Sequence, residues 1–336
     1  MRRRIVTALA LSLLGLTLAA CGGGTAGSTG GDAPPPTVRV AYVPNFTSTG
    51  AVAIGNQMGM FAPEGIQVAM QSFPGGQAVV QSLLTNDADV AVAPYTYLFS
   101  LRQQGQQIVA LSNLASNRSQ VLLARNGSGV TGDPQTLLGK TFGANGAFGD
   151  SVYRSVYAQL GQDPAQAKVV QFQSFDALIA AMSQGQIDLA VTNGPSVQNL
   201  ITKGGAAAAF RCTDPQVTLD FCAIPNTGLL TTQKWLDAHG TEASALVKGL
   251  GATVDKAHSD PEAVLTAAAT LAQAQDPAAF KEQNRAGVAS WSVPLDQTAF
   301  QAAVKAAFLA GQSATPQADY GQLVWSGGSA LWKGHQ

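Results

Sequence analysis

The sequence predicts an α/β protein of two lobes, each a mainly parallel sheet flanked by helices, with the C-terminal helices on the first lobe. Strand and helix patterns alternate along the chain. One local construction also occurs twice: "LLTNDADVAVAPYT" (83–96) and "AMSQGQIDLAVTNGP" (181–195) each read as a helix end, a polar turn, an Asp, a short apolar strand and a Pro-bearing loop. Residues 37–336 suffice for two lobes at about 100–200 residues per domain. In open α/β sheets ligands collect at the carboxyl ends of strands, so two such loops can face one another across a cleft.

The first residues are read as an export signal. Arg2, Arg3 and Arg4 precede an apolar run over 5–18 and then "LAAC", which ends at Cys21, the layout of a bacterial lipoprotein signal. That run is shorter than the roughly 20 residues a bilayer span needs. The expectation is a signal over 1–21, lipidation of Cys21, and a mature chain outside the cytoplasm on a membrane anchor. "GGGTAGSTGGDAPPP" (22–36) reads as a flexible tether that stiffens at its prolines.

In "TVRVAYVPNF" alternation predicts a strand that enters a loop at Pro44 and Asn45. Val52, Ile54, Met58 and Phe61 mark a helix, Pro63 and Gly65 break it, and a strand follows over 66–70. "GGQAVVQSLLTN" is helical and "DVAVA" a strand. After "ARNGSGVTGDP" the same kind of unit is rebuilt: "KTFGA", "KVVQF", "IDLAV" and "AAAAF" as strands, "GDSVYRSVYAQLG" and "FDALIAAMSQG" as helices. "TGLLTT" is one more strand, and the remainder is helical, with Asp260-Pro and Asp276-Pro placed as an N-cap and first helical residue. Crossovers are expected at the breaks near 126–132 and 225–228, which divides the chain into a first lobe over 37–126, a second over 127–224 and a return to the first over 225–336.

The net charge is −1 and 12% of residues are charged, with Lys and Arg scattered, which leaves no basic stripe for a nucleic acid. No second apolar run of spanning length occurs, and a soluble monomer without a cofactor is expected. Cys212 and Cys222 are the remaining cysteines, and in an exported protein a disulfide is the default. A metal site is not expected, because His239, His258 and His335 show no zinc-like spacing with them.

Taken in order, "AYVPNF", "MGMFAPEGIQV", "LLTNDADVAVAP", "LLGKTFGANGAFGDS" and "GQIDLAVTNGP" resemble the extracytoplasmic substrate-binding proteins of ABC importers of the nitrate/sulfonate/taurine and thiamine-precursor (pyrimidine) type. The resemblance covers nearly all of the mature chain. It implies a type II periplasmic-binding-protein fold that closes on a small ligand and delivers it to a membrane permease. It also implies cleft positions at Asn45, Phe46 and Thr47; at Pro94, Tyr95 and Thr96; at Gly146, Phe148, Asp150 and Ser151; and at Thr192, Asn193 and Gly194. Asn117 and Arg118 join this ligand-binding set, Arg118 as the cation near a strand start in the first lobe, where a solvated surface role is the alternative. Asn, Thr and Ser both donate and accept, aromatic rings stack, and Gly lets backbone N–H groups approach a ligand. Asp150 sits at or near the N-terminus of its helix, as an N-cap or as a contact to a donor-rich ligand, and there it would repel a small anion. A neutral heterocycle is thereby slightly favoured over an oxyanion.

A different chemistry is also written in these residues. "FGDS" (148–151) is similar to the nucleophile block of GDS-type serine esterases, and "DKAH" (255–258) has the spacing of their acid and base. Ser151 would then be the nucleophile, His258 the base and Asp255 its orienter. The block is not near the start of the domain, and the family's G-x-N-D block is missing. Trp235, Trp291, Trp325 and Trp332 are expected to pack the C-terminal helices, with one of them a candidate to reach the cleft.

Overall fold

The computed structural model describes residues 34–46, 48–145 and 147–332. The signal, Cys21, most of the tether, Thr47 and Gly146 lie outside the described residues.

Two five-stranded sheets form the scaffold. The first holds β1 (Thr37–Tyr42), β2 (Gln67–Ser72), β3 (Val90–Pro94) and β4 (Ile108–Ser116). The second holds β5 (Val121–Arg125), β6 (Thr141–Ala144), β7 (Lys168–Gln171), β8 (Leu189–Thr192) and β9 (Ala206–Arg211). β10 (Pro225–Thr232) returns to the first sheet. The strand orders are β2-β1-β3-β10-β4 and β7-β6-β8-β5-β9. In each sheet only the fourth strand in this order is reversed: β10 runs antiparallel to β3 and β4, and β5 runs antiparallel to β8 and β9. Those reversed strands are the ones that arrive from the other sheet, so the two halves share a single plan.

The chain leaves the first sheet earlier than the breaker pattern suggests. β5 already belongs to the second sheet, so the outward crossover is the short 3-10 turn Asn117–Ser119, and the Gly-rich run at 126–132 connects β5 to β6 within the second half. The crossover carries neither Gly nor Pro, which is why composition hides it. The boundary expected after residue 126 is therefore displaced to Asn117. The return passes through a second 3-10 turn, Asp220–Ala223, into β10.

The helices are α1 (Ala51–Gln57), α2 (Gly76–Leu84), α3 (Tyr95–Gln103), α4 (Ala147–Gln159), α5 (Phe175–Ser183), α6 (Pro195–Thr202), α7 (Gln233–Ala238), α8 (Gly240–Ser259), α9 (Pro261–Leu271), α10 (Pro277–Ala289), α11 (Gln297–Leu309), α12 (Tyr320–Leu323) and α13 (Ser326–Leu331). Local chemistry starts many of them. Ser174, Asp260, Asp276 and Asp296 each accept the backbone N–H three residues on, as N-caps do. α2, α3, α7, α8, α11 and α12 pack on the first sheet, whose central strand β3 is buried over 90–93, the apolar run of a strand covered on both faces. The outer edge of β4 is capped by Trp291 to Val293 and by Val324 rather than left open: Ser292 and Asn113 donate across it to Leu114 and Val293. Trp291 is 1% exposed and belongs to the core. Among the described residues no helix is long and apolar enough to cross a membrane.

Candidate functional site

The carboxyl ends of the parallel strands in both sheets lead straight into helices: β3 into α3, β6 into α4 and β8 into α6. β4 ends in the outward crossover, and the reversed β10 begins at the same end of the sheet. Side chains from these ends enclose a small cavity lined by Tyr95, Thr96 and Phe99, by Asn117, by Phe148, Ser151, Val152 and Ser155, by Phe221, Ile224, Pro225 and Asn226, and by Ala303, Ala306 and Ala307 of α11. It measures about 20 Å³, room for about one water. A small-molecule site needs several hundred Å³, so the cavity as it stands is too small for such a ligand.

Among the described residues none of the lining side chains carries a formal charge. Tyr95 donates its hydroxyl to the Ser112 carbonyl at 3.1 Å, with Asn113 Oδ1 at 3.4 Å. Burial, helped by neighbouring Tyr320, pushes its pKa well up, so it stays a neutral donor. Its ring packs edge-on against Phe300 at 6.3 Å. Gly228 is required opposite it: a Cβ there would lie 2.3 Å from the hydroxyl. Asn117 is 2% exposed. Its Nδ2 donates to the Phe221 carbonyl at 2.9 Å, which fixes the amide orientation, and its Oδ1 has no hydrogen-bond partner among the described residues. A buried acceptor left open is costly unless something fills it. The side chains of Thr96 and Asn226 make no hydrogen bond to a described residue either. The cavity thus offers a fixed acceptor, two adaptable polar groups and aromatic walls.

Of the residues singled out in the sequence, Tyr95, Thr96, Asn117, Phe148 and Ser151 meet here, and Pro94 precedes them as the N-cap of α3. The others are placed elsewhere. Phe46 packs against Phe280 of α10 at 5.6 Å, and Asn45 is exposed in the loop before α1. Arg118 is exposed and borders a surface depression beside Cys212 and Cys222, so the solvated reading of this cation fits its position. Asp150 is not an N-cap: α4 begins at Ala147, and the carboxylate pairs with Arg154 one turn on at 3.1 Å. An (i, i+4) partner on the same helix explains why it turns along α4. Thr192 ends β8 opposite Val121. Asn193 is buried and donates to Ser119 Oγ at 3.2 Å. Gly194 has φ 57° and ψ −143°, a backbone shape open to glycine, and borders a groove between α6 and α10. Phe99, Val152, Ser155, Phe221, Ile224, Pro225, Asn226 and the alanines of α11 were missed. Asn226 sits in a break recognised as a crossover, and nothing in "FQAAVKAAFLAG" marks three alanines as a wall.

The esterase arrangement is absent. Ser151 donates to the Phe148 carbonyl at 2.7 Å within α4. His258 lies on α8, where its Nε2 is 3.1 Å from the Trp291 carbonyl. With the nucleophile and the base each committed to a different backbone group on separate halves, Ser151 has no base to activate it among the described residues. Cys212 and Cys222 are joined by a disulfide with their Cα atoms 5.2 Å apart.

The family model described as NMT1/THI5 like matches residues 45–264, well over half of the chain. The chain belongs to the NMT1/THI5-like family. The matched span of this NMT1/THI5-like protein runs from the loop after β1 into α9 and includes every cavity residue except those of α11. A curated relative, the 4-amino-5-hydroxymethyl-2-methylpyrimidine phosphate synthase of Uromyces fabae, is 22% identical over 224 residues. That match covers 62% of this chain and 63% of the relative, so the chain spans less than two thirds of its length. Solved structures share the fold. The alkanesulfonate-binding protein SsuA of Xanthomonas axonopodis pv. citri, bound to MOPS, has a TM-score of 0.67 at 17% identity, with 87% of this chain and 99% of that one covered. The aliphatic sulphonate binding protein SsuA of Escherichia coli gives 0.68 at 14% identity, covering 87% and 92%. The nitrate-binding protein NrtA of Synechocystis PCC 6803 gives 0.63 at 12% identity, covering 90% and 88%. These likenesses establish the periplasmic-binding-protein fold.

Proposed function

We propose that this chain is an extracytoplasmic solute-binding protein that captures a small molecule between its two sheets by hinge closure and delivers it to an ABC permease. The observation that carries this reading is the cavity built from the carboxyl ends of both sheets, too small to admit a ligand without opening and lined by polar and aromatic groups. Ligand would stabilise the closed form through contacts that exist only when both jaws meet. The uncharged lining favours a neutral, ring-shaped ligand such as a pyrimidine, in keeping with the pyrimidine named in the curated relative, over the sulfonate or nitrate named in the structural neighbours.

The protein acts without turnover in this reading. Among the described residues Tyr95 is the one lining side chain of ordinary titratable type, and its hydroxyl is tied to Ser112. Lipidation of Cys21 holds the protein, as a monomer, at the outer face of the membrane.

A thermal-shift screen with sulfonates, nitrate, pyrimidines and flavin precursors tests the ligand class. A ligand at a hundredfold its dissociation constant adds about 2.7 kcal/mol. A shift with a pyrimidine and none with sulfonates is the expected result, and the reverse overturns the neutral-ligand reading. Metabolic labelling with an alkyne fatty acid tests the anchor: label lost in Cys21→Ser supports it, and label retained refutes it.

A further inference from the structure

We propose that the Cys212–Cys222 disulfide is a redox-sensitive staple of the hinge, which makes both crossovers and α4 move as one block. The bond closes a loop with a sequence separation of 10 between the end of β9 and the start of β10. Inside the loop the backbone makes few hydrogen bonds of its own, from Val217 to Asp214 and from Cys222 to Leu219. Its shape therefore depends on the cross-link and on what the loop touches.

What it touches is the hinge. Cys212 N–H donates to the Gln120 carbonyl at 3.0 Å, and Asn117 N–H donates to the Ile224 carbonyl at 3.0 Å. The Asn117 amide adds its bond to the Phe221 carbonyl, so the outward and returning crossovers are laced together around the disulfide. One side chain of α4 joins the same block: Gln159 Nε2 donates to the Thr218 carbonyl at 2.7 Å, and Gln159 Oε1 accepts from Asp220 N–H at 2.9 Å. The opposite end of α4 supplies Phe148 and Ser151 to the cavity, and the loop itself supplies Phe221, with Ile224 just beyond it. Loop shape is thus coupled to the walls of the cleft at both ends of one helix.

The redox step is simple. An external dithiol gives two electrons and two protons, becoming a disulfide, and Cys212 and Cys222 become two thiols. Both cysteines are buried, but the depression lined by Arg118, Thr213, Asp214, Val217 and Leu219 runs beside them and gives a reductant its approach. Loss of a cross-link over so short a loop loosens the loop, while the large apolar cluster shared by both sheets keeps them folded. The inference rests on the hinge-closure reading, and does not depend on which ligand is captured.

Hydrogen exchange read by mass spectrometry tests it on the full protein in three forms: oxidised, reduced with dithiothreitol, and the double variant Cys212→Ser/Cys222→Ser. Segments 114–122 and 211–226 are expected to exchange about tenfold faster or more in the reduced and variant forms, with β1, β3, β6 and β8 unchanged. Equal protection of the hinge segments in all three forms overturns the proposal, and so does uniform acceleration through both sheets. If dithiothreitol exposes no alkylatable thiol in the folded protein, the redox sensitivity is refuted. Should the double variant fail to fold, the dithiothreitol form decides the matter.

Discussion

The two halves solve one problem at the start of their central strand with the same carboxylate and with differently placed cations. In the first half Asp89 precedes β3 and accepts the Arg39 backbone N–H of β1 at 2.8 Å. In the second, Asp188 precedes β8 and accepts the Thr141 backbone N–H of β6 at 3.0 Å. The strand positions correspond, since β1 and β6 hold the same place in the two sheet orders. The guanidinium comes from opposite neighbours: Arg39 on β1 itself reaches Asp89 at 2.6 Å, whereas Arg125 on β5 reaches Asp188 at 2.9 Å. The difference teaches which contact the plan requires. The carboxylate must satisfy a backbone donor where the central strand begins, and the counter-ion is recruited from whichever strand lies within reach.

That comparison can be broken by substitution. Asp89→Ala is expected to cost the most, about 2–4 kcal/mol in urea denaturation, because a buried carboxylate is lost and a backbone N–H and a guanidinium lose their partner together. A loss no larger than that of a surface site would mean water replaces the carboxylate freely. The loops after the paired strands also differ. Pro94 has ordinary extended geometry, whereas Gly194 occupies a glycine-only region. Gly194→Ala is therefore expected to lower stability by about 1–3 kcal/mol while Pro94→Ala stays within about 1 kcal/mol. Equal effects would show that the second loop relaxes at no cost.

Asp188→Ala ranks lower, at about 1–2 kcal/mol, because this pair is more exposed. It can be sharpened by pH. Burial pushes the Asp188 carboxyl up, but the Thr141 N–H and the Arg125 guanidinium outweigh it and hold the value below the ordinary carboxylate range. The stabilisation is fully present above the unfolded value of about 3.9 and is lost as pH falls through the lower folded value. Asp188→Asn should accordingly flatten the stability loss below about pH 4, as read by thermal melts across the acid range. The smallest effect is expected at Ser151→Ala, within about 0.5 kcal/mol, since its hydroxyl only returns to a carbonyl of its own helix. A larger loss would mean that Ser151 does more than line the cavity.

Much of this plan is legible in the chain. Asp89 and Asp188 stand out because each sits between a polar turn and a short apolar strand, and Asp260-Pro and Asp276-Pro mark their helix starts because side-chain capping is local chemistry. Non-local facts are harder to read. The outward crossover at Asn117 has no breaker, since a strand resumes after a single turn, while the Gly-rich run after Arg125 merely turns within the second half. Asp150 at a helix start suggests a cap, but α4 already begins at Ala147 and the carboxylate turns to Arg154 one turn later. The cavity was half readable: Tyr95, Thr96, Asn117, Phe148 and Ser151 lie next to strand ends, whereas Ala303, Ala306 and Ala307 become a wall only because α11 crosses α4 from far along the chain.

Capture between the two halves is tested most directly by crystal structures of the protein with and without the compound that gives the largest thermal shift. Ligand density between Tyr95 and Asn117 on one side and Phe148 and Ser151 on the other, with the sheets closer than in the ligand-free crystals, is the expected result. Density outside the two jaws, or the same sheet separation in both crystals, contradicts capture by closure.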